Sequence, residues 1–184
     1  MIYPIIAYGD PILKKRAKPV EKDDSFDLKQ LVSDMFDTMY QANGVGLAAP
    51  QIGLSIRVFV VDAEQMEEKS IKGFKKTFIN PTILDESGDE WTYEEGCLSI
   101  PQVRAEVNRK STVKIRYYDE NWKEFTETYD GIAARIIQHE YDHLEGILFI
   151  DRISMFKRKL IQGKLNDILK GTVKHDYKMK FHSK

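Results

Sequence analysis

Residues Ile136 to Gly146 read I-I-Q-H-E-Y-D-H-L-E-G. They end a longer run, I-A-A-R-I-I-Q-H-E-Y-D-H-L, which is preceded by Asp130-Gly131 and followed by Glu145 and Gly146. Asp130 is a good N-cap and Gly146 a good C′ residue, so the stretch predicts a helix. At 3.6 residues per turn, His139 and His143 then lie one above the other on one face, where both imidazoles can reach a single metal ion. Glu140 sits beside them and reaches a water on that ion rather than the ion itself. H-E-x-x-H thus places two ligands and a general base on one rigid element. Two surface histidines and a glutamate could share this spacing by chance, but the caps and the apolar Ile136-Ile137 favour the metal reading.

A catalytic metal takes about three protein ligands and keeps one position open. Only four histidines exist, and His175 and His182 fall in the basic C-terminal stretch. Glu145 is close in sequence but lies where the helix ends. Cys97 is the other candidate, in E-E-G-C-L-S-I-P from Glu94 to Pro101. A lone cysteine is commonly a small buried hydrophobe. As a thiolate it would make a ligand set of one anion and two neutral imidazoles, leaving the ion positive enough to acidify water and polarise a carbonyl. Spacing alone leaves both readings of Cys97 open.

Working outward, Leu28, Leu31, Val32, Met35, Phe36, Met39 and Tyr40 recur with helical period. They predict an amphipathic N-terminal helix, capped by Ser25 or Asp27 and stopped at Asn43-Gly44. Between the two helices come short strand-like runs: 57–61, 76–84, 91–94, 103–107, 112–118 and 125–129. Ser87-Gly88-Asp89 is read as a turn and Asp119-Glu120-Asn121 as a hairpin loop. A last helix is expected from about 152 to 170, with Ile153, Phe156, Leu160, Leu165 and Ile168 as its apolar stripe. The pattern is α+β: short antiparallel sheets around a central H-E-x-x-H helix, flanked by an N-terminal and a C-terminal helix. Residues 1–170 are read as one catalytic domain and 171–184 as a basic, flexible tail.

At 184 residues the chain suits one domain with a real core. One cysteine makes no internal disulfide, and no signal, transit or membrane-spanning segment is recognised, so a reducing cytoplasm is expected. Net charge is −1 but uneven: residues 151–184 hold ten Lys or Arg against three Asp or Glu, +7, leaving −8 on the first 150. A basic end on an acidic body suits a polyanionic partner or simply a solvated surface. No membrane or DNA partner is expected.

Three stretches together, G-V-G-L-A-A-P-Q (Gly44 to Gln51), E-G-C-L-S (Glu95 to Ser99) and Q-H-E-Y-D-H-L (Gln138 to Leu144), closely resemble, in order and separation, the motifs of bacterial-type peptide deformylases. The early G-D-P-I-L is similar too. The resemblance implies removal of the formyl group from the initiator formyl-methionine of new polypeptides, with release of formate. It implies Cys97, His139 and His143 as ligands of one divalent ion, typically Fe2+, with Zn2+, Ni2+ or Co2+ able to replace it. Hydroxide on that ion would attack the formyl carbon, with Glu140 as general base and then acid. Gln51 and the Leu98 backbone N–H would stabilise the oxyanion.

Gly44, Val45 and Gly46 would form a wall along which the peptide adds as a strand, its main-chain bonds independent of sequence. Val45, Leu98 and the turn before His139 are candidates for the methionine pocket. There Arg135 stands in place of an expected apolar wall. Its stem could line the rim, but an ordinary surface arginine is the preferred reading. Glu95 and Asp142 are the nearest carboxylates for orienting the histidines, with surface ion pairs the alternative. An endopeptidase would need only H-E-x-x-H, and a structural zinc module would need a fourth ligand. Contact of the basic last helix with ribosomal RNA is a further expectation.

Overall fold

The computed structural model describes residues 1–64, 66 and 71–182. In chain order it runs β1 (Ile5–Ile6), α1 (Leu28–Gln41), β2 (Gly46–Ala48), β3 (Val58–Asp62), β4 (Lys75–Cys97), β5 (Ile100–Tyr118), β6 (Glu124–Asp130), α2 (Gly131–Leu144), α3 (Met155–Leu169) and β7 (Met179–Lys180). Short 3-10 turns lie at Pro11–Lys14, Ala49–Ile52 and Phe149–Asp151. Strands β2 to β6 form one antiparallel sheet in sequence order, and β1 pairs with β7 in parallel. This is the expected α+β architecture.

β3 shows how the layers arise. Its V-F-V-V-D is buried throughout. Val58 and Val60 pack with Leu31, Met35 and Met39 of α1, while Phe59 and Val61 pack with Ala134 and Ile137 of α2. Side chains alternate across a strand, so a strand covered on both faces must be apolar at successive positions. α2 therefore lies against the sheet with its histidine face toward the turn end of the β4–β5 hairpin. Its N-cap residue, Asp130, makes no capping bond through its side chain, and its C-cap residue is Glu145. Gly146 follows with φ +74, and a Cβ there would meet the Lys14 carbonyl oxygen at 2.6 Å, so only glycine fits.

Three details differ from the sequence reading. The separate runs 76–84 and 91–94 belong to one strand, β4, and 103–107 and 112–118 to another, β5. Ser87-Gly88-Asp89 is not a chain reversal. It is taken up by a register shift between Ser87 and Glu90, a bulge that local turn propensity imitates. The apolar stripe on α3 is only half used. Leu165 and Ile168 are buried, but Phe156 and Leu160 are each 71% exposed, so they face away from the core. Finally, the segment after Gly171 lies back on the domain: Ile5 N–H donates to Lys178 O at 2.8 Å and Ala7 N–H to Lys180 O at 2.9 Å. Its last two residues lie outside the described ones. Among the described residues, no helix is long and apolar enough to cross a membrane.

Candidate metal centre

β4 ends at Cys97 and α2 carries His139 and His143, so the site forms where the turn end of the β4–β5 hairpin meets the helix. One ligand-type atom from each of these three residues lies within 4.8 Å of the others. Cys97 Sγ is 3.4 Å from His143 Nε2. The two histidine rings are 5.2 Å apart between centroids. One soft thiolate and two imidazoles at this spacing fit a single ion of the iron and zinc type and suit magnesium or calcium poorly. Glu145, the in-sequence alternative, turns away to Arg16 at 2.9 Å and Arg57 at 2.7 Å.

Glu140 is buried, and its Oε2 has no hydrogen-bond partner among the described residues. Burial pushes its carboxyl up to about 7, although the neighbouring His139 charge pulls the other way. Such a group exchanges protons near neutrality. Its position depends on Gly46, because a Cβ there would stand 2.4 Å from Glu140 Oε1 and 2.8 Å from its Cγ. Gly44 is similarly close-packed, its missing Cβ 2.8 Å from Leu98 Cδ1. The two glycines, read from sequence as space for a substrate, thus first make space for Glu140 and Leu98.

Gln51 enters from the 3-10 turn Ala49–Ile52. Its Oε1 accepts from Ala48 N–H at 2.9 Å, which fixes the orientation of the amide. Nε2 is then left to donate, 3.4 Å from Cys97 Sγ and 3.3 Å from Ser99 Oγ. The donor therefore points into the cluster without having to reorganise.

Behind the ligands runs a buried ionic chain. His139 Nδ1 is 3.5 Å from Glu95 Oε1, and Arg109 Nε donates to the same oxygen at 3.0 Å. Arg109 Nη1 donates to Asp142 Oδ2 at 2.8 Å, and Arg152 holds both oxygens of Asp142, at 2.5 and 2.6 Å. Glu95 is thus the carboxylate that orients His139, while Asp142 serves the arginines. Burial alone would raise the Glu95 carboxyl, but the His139 contact and the Arg109 charge outweigh it and hold it at about 2. Arg109 carries no sequence signal. Only strand pairing brings it to Glu95.

Arg135 is no surface residue. It is 2% exposed. Its Nη1 donates to Val107 O at 3.0 Å and its Nη2 to Trp91 O at 2.6 Å, and the guanidinium lies 4.6 Å from the Trp91 ring centroid. Backbone carbonyls of the long hairpin replace water around it, which the sequence could not reveal without the β4–β5 pairing.

A cavity of about 470 Å3 opens on this cluster. Gly44, Val45, Gly46, Gln51, Leu98 and Arg135 all line it, with Cys97, His139 and Glu140 at its floor. Sequence reasoning missed one wall: His175, Asp176 and Tyr177 return from the presumed tail to line it as well.

The chain matches the family model described as polypeptide deformylase over residues 2–159. It is 56% identical over 181 residues to a peptide deformylase of Cytophaga hutchinsonii, covering 98% of each chain. It is 53% identical over 190 residues to one of Christiangramia forsetii, covering 98% of this chain and 96% of that one. Among solved structures, a peptide deformylase from Plasmodium falciparum superposes with a TM-score of 0.82 at 40% identity, covering 91% of this chain and 95% of that one. By its family match and its full-length relatives, the chain belongs to the polypeptide deformylase family of hydrolases.

Proposed function

We propose that this chain removes the formyl group from N-formylmethionyl ends of new polypeptides, releasing formate, with Cys97, His139 and His143 holding one divalent ion, Fe2+ in the cell. The observation that carries the reading is that two of this trio, Cys97 and His139, meet Glu140 and the Gln51 amide on one cavity, with His143 clustered beside them. When bound, the ion supplies Lewis acidity, polarising the formyl carbonyl and making water reactive near neutral pH.

The chain's own groups do the rest. Glu140, poised near neutrality, takes the proton of the attacking water and returns it to the leaving amine. Gln51 Nε2 and the Leu98 N–H donate to the formyl oxygen as its charge grows, a contribution on the order of 3–4 kcal/mol for one such donor. The peptide lies along β2, the sheet's edge. Val45 O accepts from Asp62 N–H at 3.0 Å, facing inward, so pleating leaves the Gly46 backbone groups on the open side. Main-chain pairing there is indifferent to sequence, as a general processing enzyme requires. Val45, Leu98, Ile136 and the Arg135 stem supply apolar surface for the methionine side chain.

The reaction belongs in the cytoplasm, where chains are made, and α3 extends the reading to ribosome contact. Its exposed residues include Met155, Phe156, Lys159 and Leu160, while the half-buried Lys157 and Arg158 between them pair with Glu106 and Asp151. Unchanged ribosome association at low salt after charge reversal of the three cations would refute that extension.

For the reaction itself, protein loaded anaerobically with Fe2+ is expected to release formate from formyl-Met-Ala-Ser. No formate release, or cleavage of internal bonds in unformylated peptides instead, would overturn the reading.

A further inference from the structure

The segment after α3 reaches the site from the opposite end of the chain. Thr172 N–H donates to Asp167 O at 2.9 Å, and β7 is held beside β1. Between these anchors, Tyr177 packs its ring in the cluster that contains Leu98, and its hydroxyl donates to the Leu98 carbonyl at 2.6 Å. A phenol has one proton to give, so this bond sets the hydroxyl's direction.

Leu98 and Ser99 form the two-residue turn between β4 and β5, since Cys97 pairs with Ile100. So short a turn has little of its own to hold it. It is held from outside: Leu98 O by Tyr177, Ser99 O by Tyr8 N–H at 2.8 Å, and Ser99 Oγ by Gln51 Nε2 at 3.3 Å. Strand pairing fixes the Cys97 side of Leu98, and the Tyr177 bond fixes its carbonyl side, so both soft torsions of this residue are restrained.

We propose that Tyr177 is a positioning residue for the oxyanion-binding turn: its hydroxyl, acting through the Leu98 carbonyl, keeps the Leu98 N–H aimed at the formyl oxygen. The inference rests on the proposed role of Leu98. It gives the C-terminal segment a part in the reaction. Hydrogen bonds weaken steeply as their angle opens, and an oxyanion donor acts by being in place beforehand, so a small rocking of this turn costs rate rather than binding.

Tyr177→Phe keeps the ring and removes only the hydroxyl. With formyl-Met-Ala-Ser, kcat is expected to fall about 5- to 30-fold with KM within about two-fold, the pattern of an interaction made in the transition state. Without substrate, amide hydrogen exchange at Leu98 and Ser99 is expected to quicken about ten-fold while β3 amides are unchanged. An unchanged kcat, a matching rise in KM, or a loss of kcat with no faster exchange at the turn each overturns the proposal. A wild-type protein that releases no formate would remove the deformylase reading instead. The exchange measurement separates the two, because it reports on Tyr177's hold over the turn without any turnover.

Discussion

Replacing Arg109 with methionine removes a cation that joins β5 to β4 and to α2 behind the histidines. The guanidinium side chain is 2% exposed, against 4% for Glu95 and 7% for Asp142. Its Nε and Nη2 grip Glu95 at 3.0 and 3.2 Å, and its Nη1 holds Asp142 at 2.8 Å. Two carboxylates and two arginines balance in this chain. Without Arg109 one negative charge is left buried without its partner, while Asp142 keeps Arg152. Breaking a buried pair in this way costs about 3–5 kcal/mol, far above the roughly 1 kcal/mol of an exposed pair. For 184 residues, a loss of about 4 kcal/mol lowers Tm by about 10 °C. The assay is chemical and thermal unfolding of metal-free protein, so that ion binding does not mask the loss. In a Glu95→Gln background the same Arg109→Met change should cost about 1–3 kcal/mol less, because the abandoned charge is gone. A fall in Tm under about 3 °C, or the same cost in both backgrounds, would refute the reasoning.

Gly46→Ala drives a methyl into the Glu140 carboxylate, 2.4 Å from Oε1. It is expected to cut kcat by about 100-fold or more while the protein still binds one metal ion, and full activity would show that Glu140 can act from elsewhere. Glu140→Gln should likewise keep its metal but lose turnover, whereas Cys97→Ala should lose the metal itself; metal analysis beside the formate assay distinguishes them. Asp151 accepts from Lys14 at 2.5 Å, Leu148 N–H at 2.9 Å and Arg158 at 3.1 Å. Burial would raise its carboxyl, but these partners outweigh it and hold it below the ordinary 3.8. A depressed carboxyl contributes stability that is present above its unfolded value and lost as pH falls through its folded one. Asp151→Asn should therefore cost about 1 kcal/mol at pH 7 and progressively less below pH 4, and a cost that does not shrink on acidification would refute it.

The sequence by itself determined the elements whose cause is local. Repeating apolar positions and the Asp27 cap place α1, the H-E-x-x-H spacing places both histidines on one face of α2, and the apolar run of β3 announces a strand covered on both sides. Those facts depend on residues within a turn or a strand of each other. What only the tertiary structure decided depends on residues far apart in the chain. Packing of α2 against the sheet carries His143 to Cys97, and strand pairing carries Arg109 to Glu95. It also buries Arg135, which helix periodicity alone left at the surface. Gly46, read from the sequence as part of a wall that leaves room for a peptide, also makes room for Glu140 once α2 packs against it. Tyr177 lies in a run of lysines with every mark of a solvated end. Its hydroxyl finds Leu98 across 79 positions of sequence, because β7 finds an open edge at β1 and no local rule foretells that pairing.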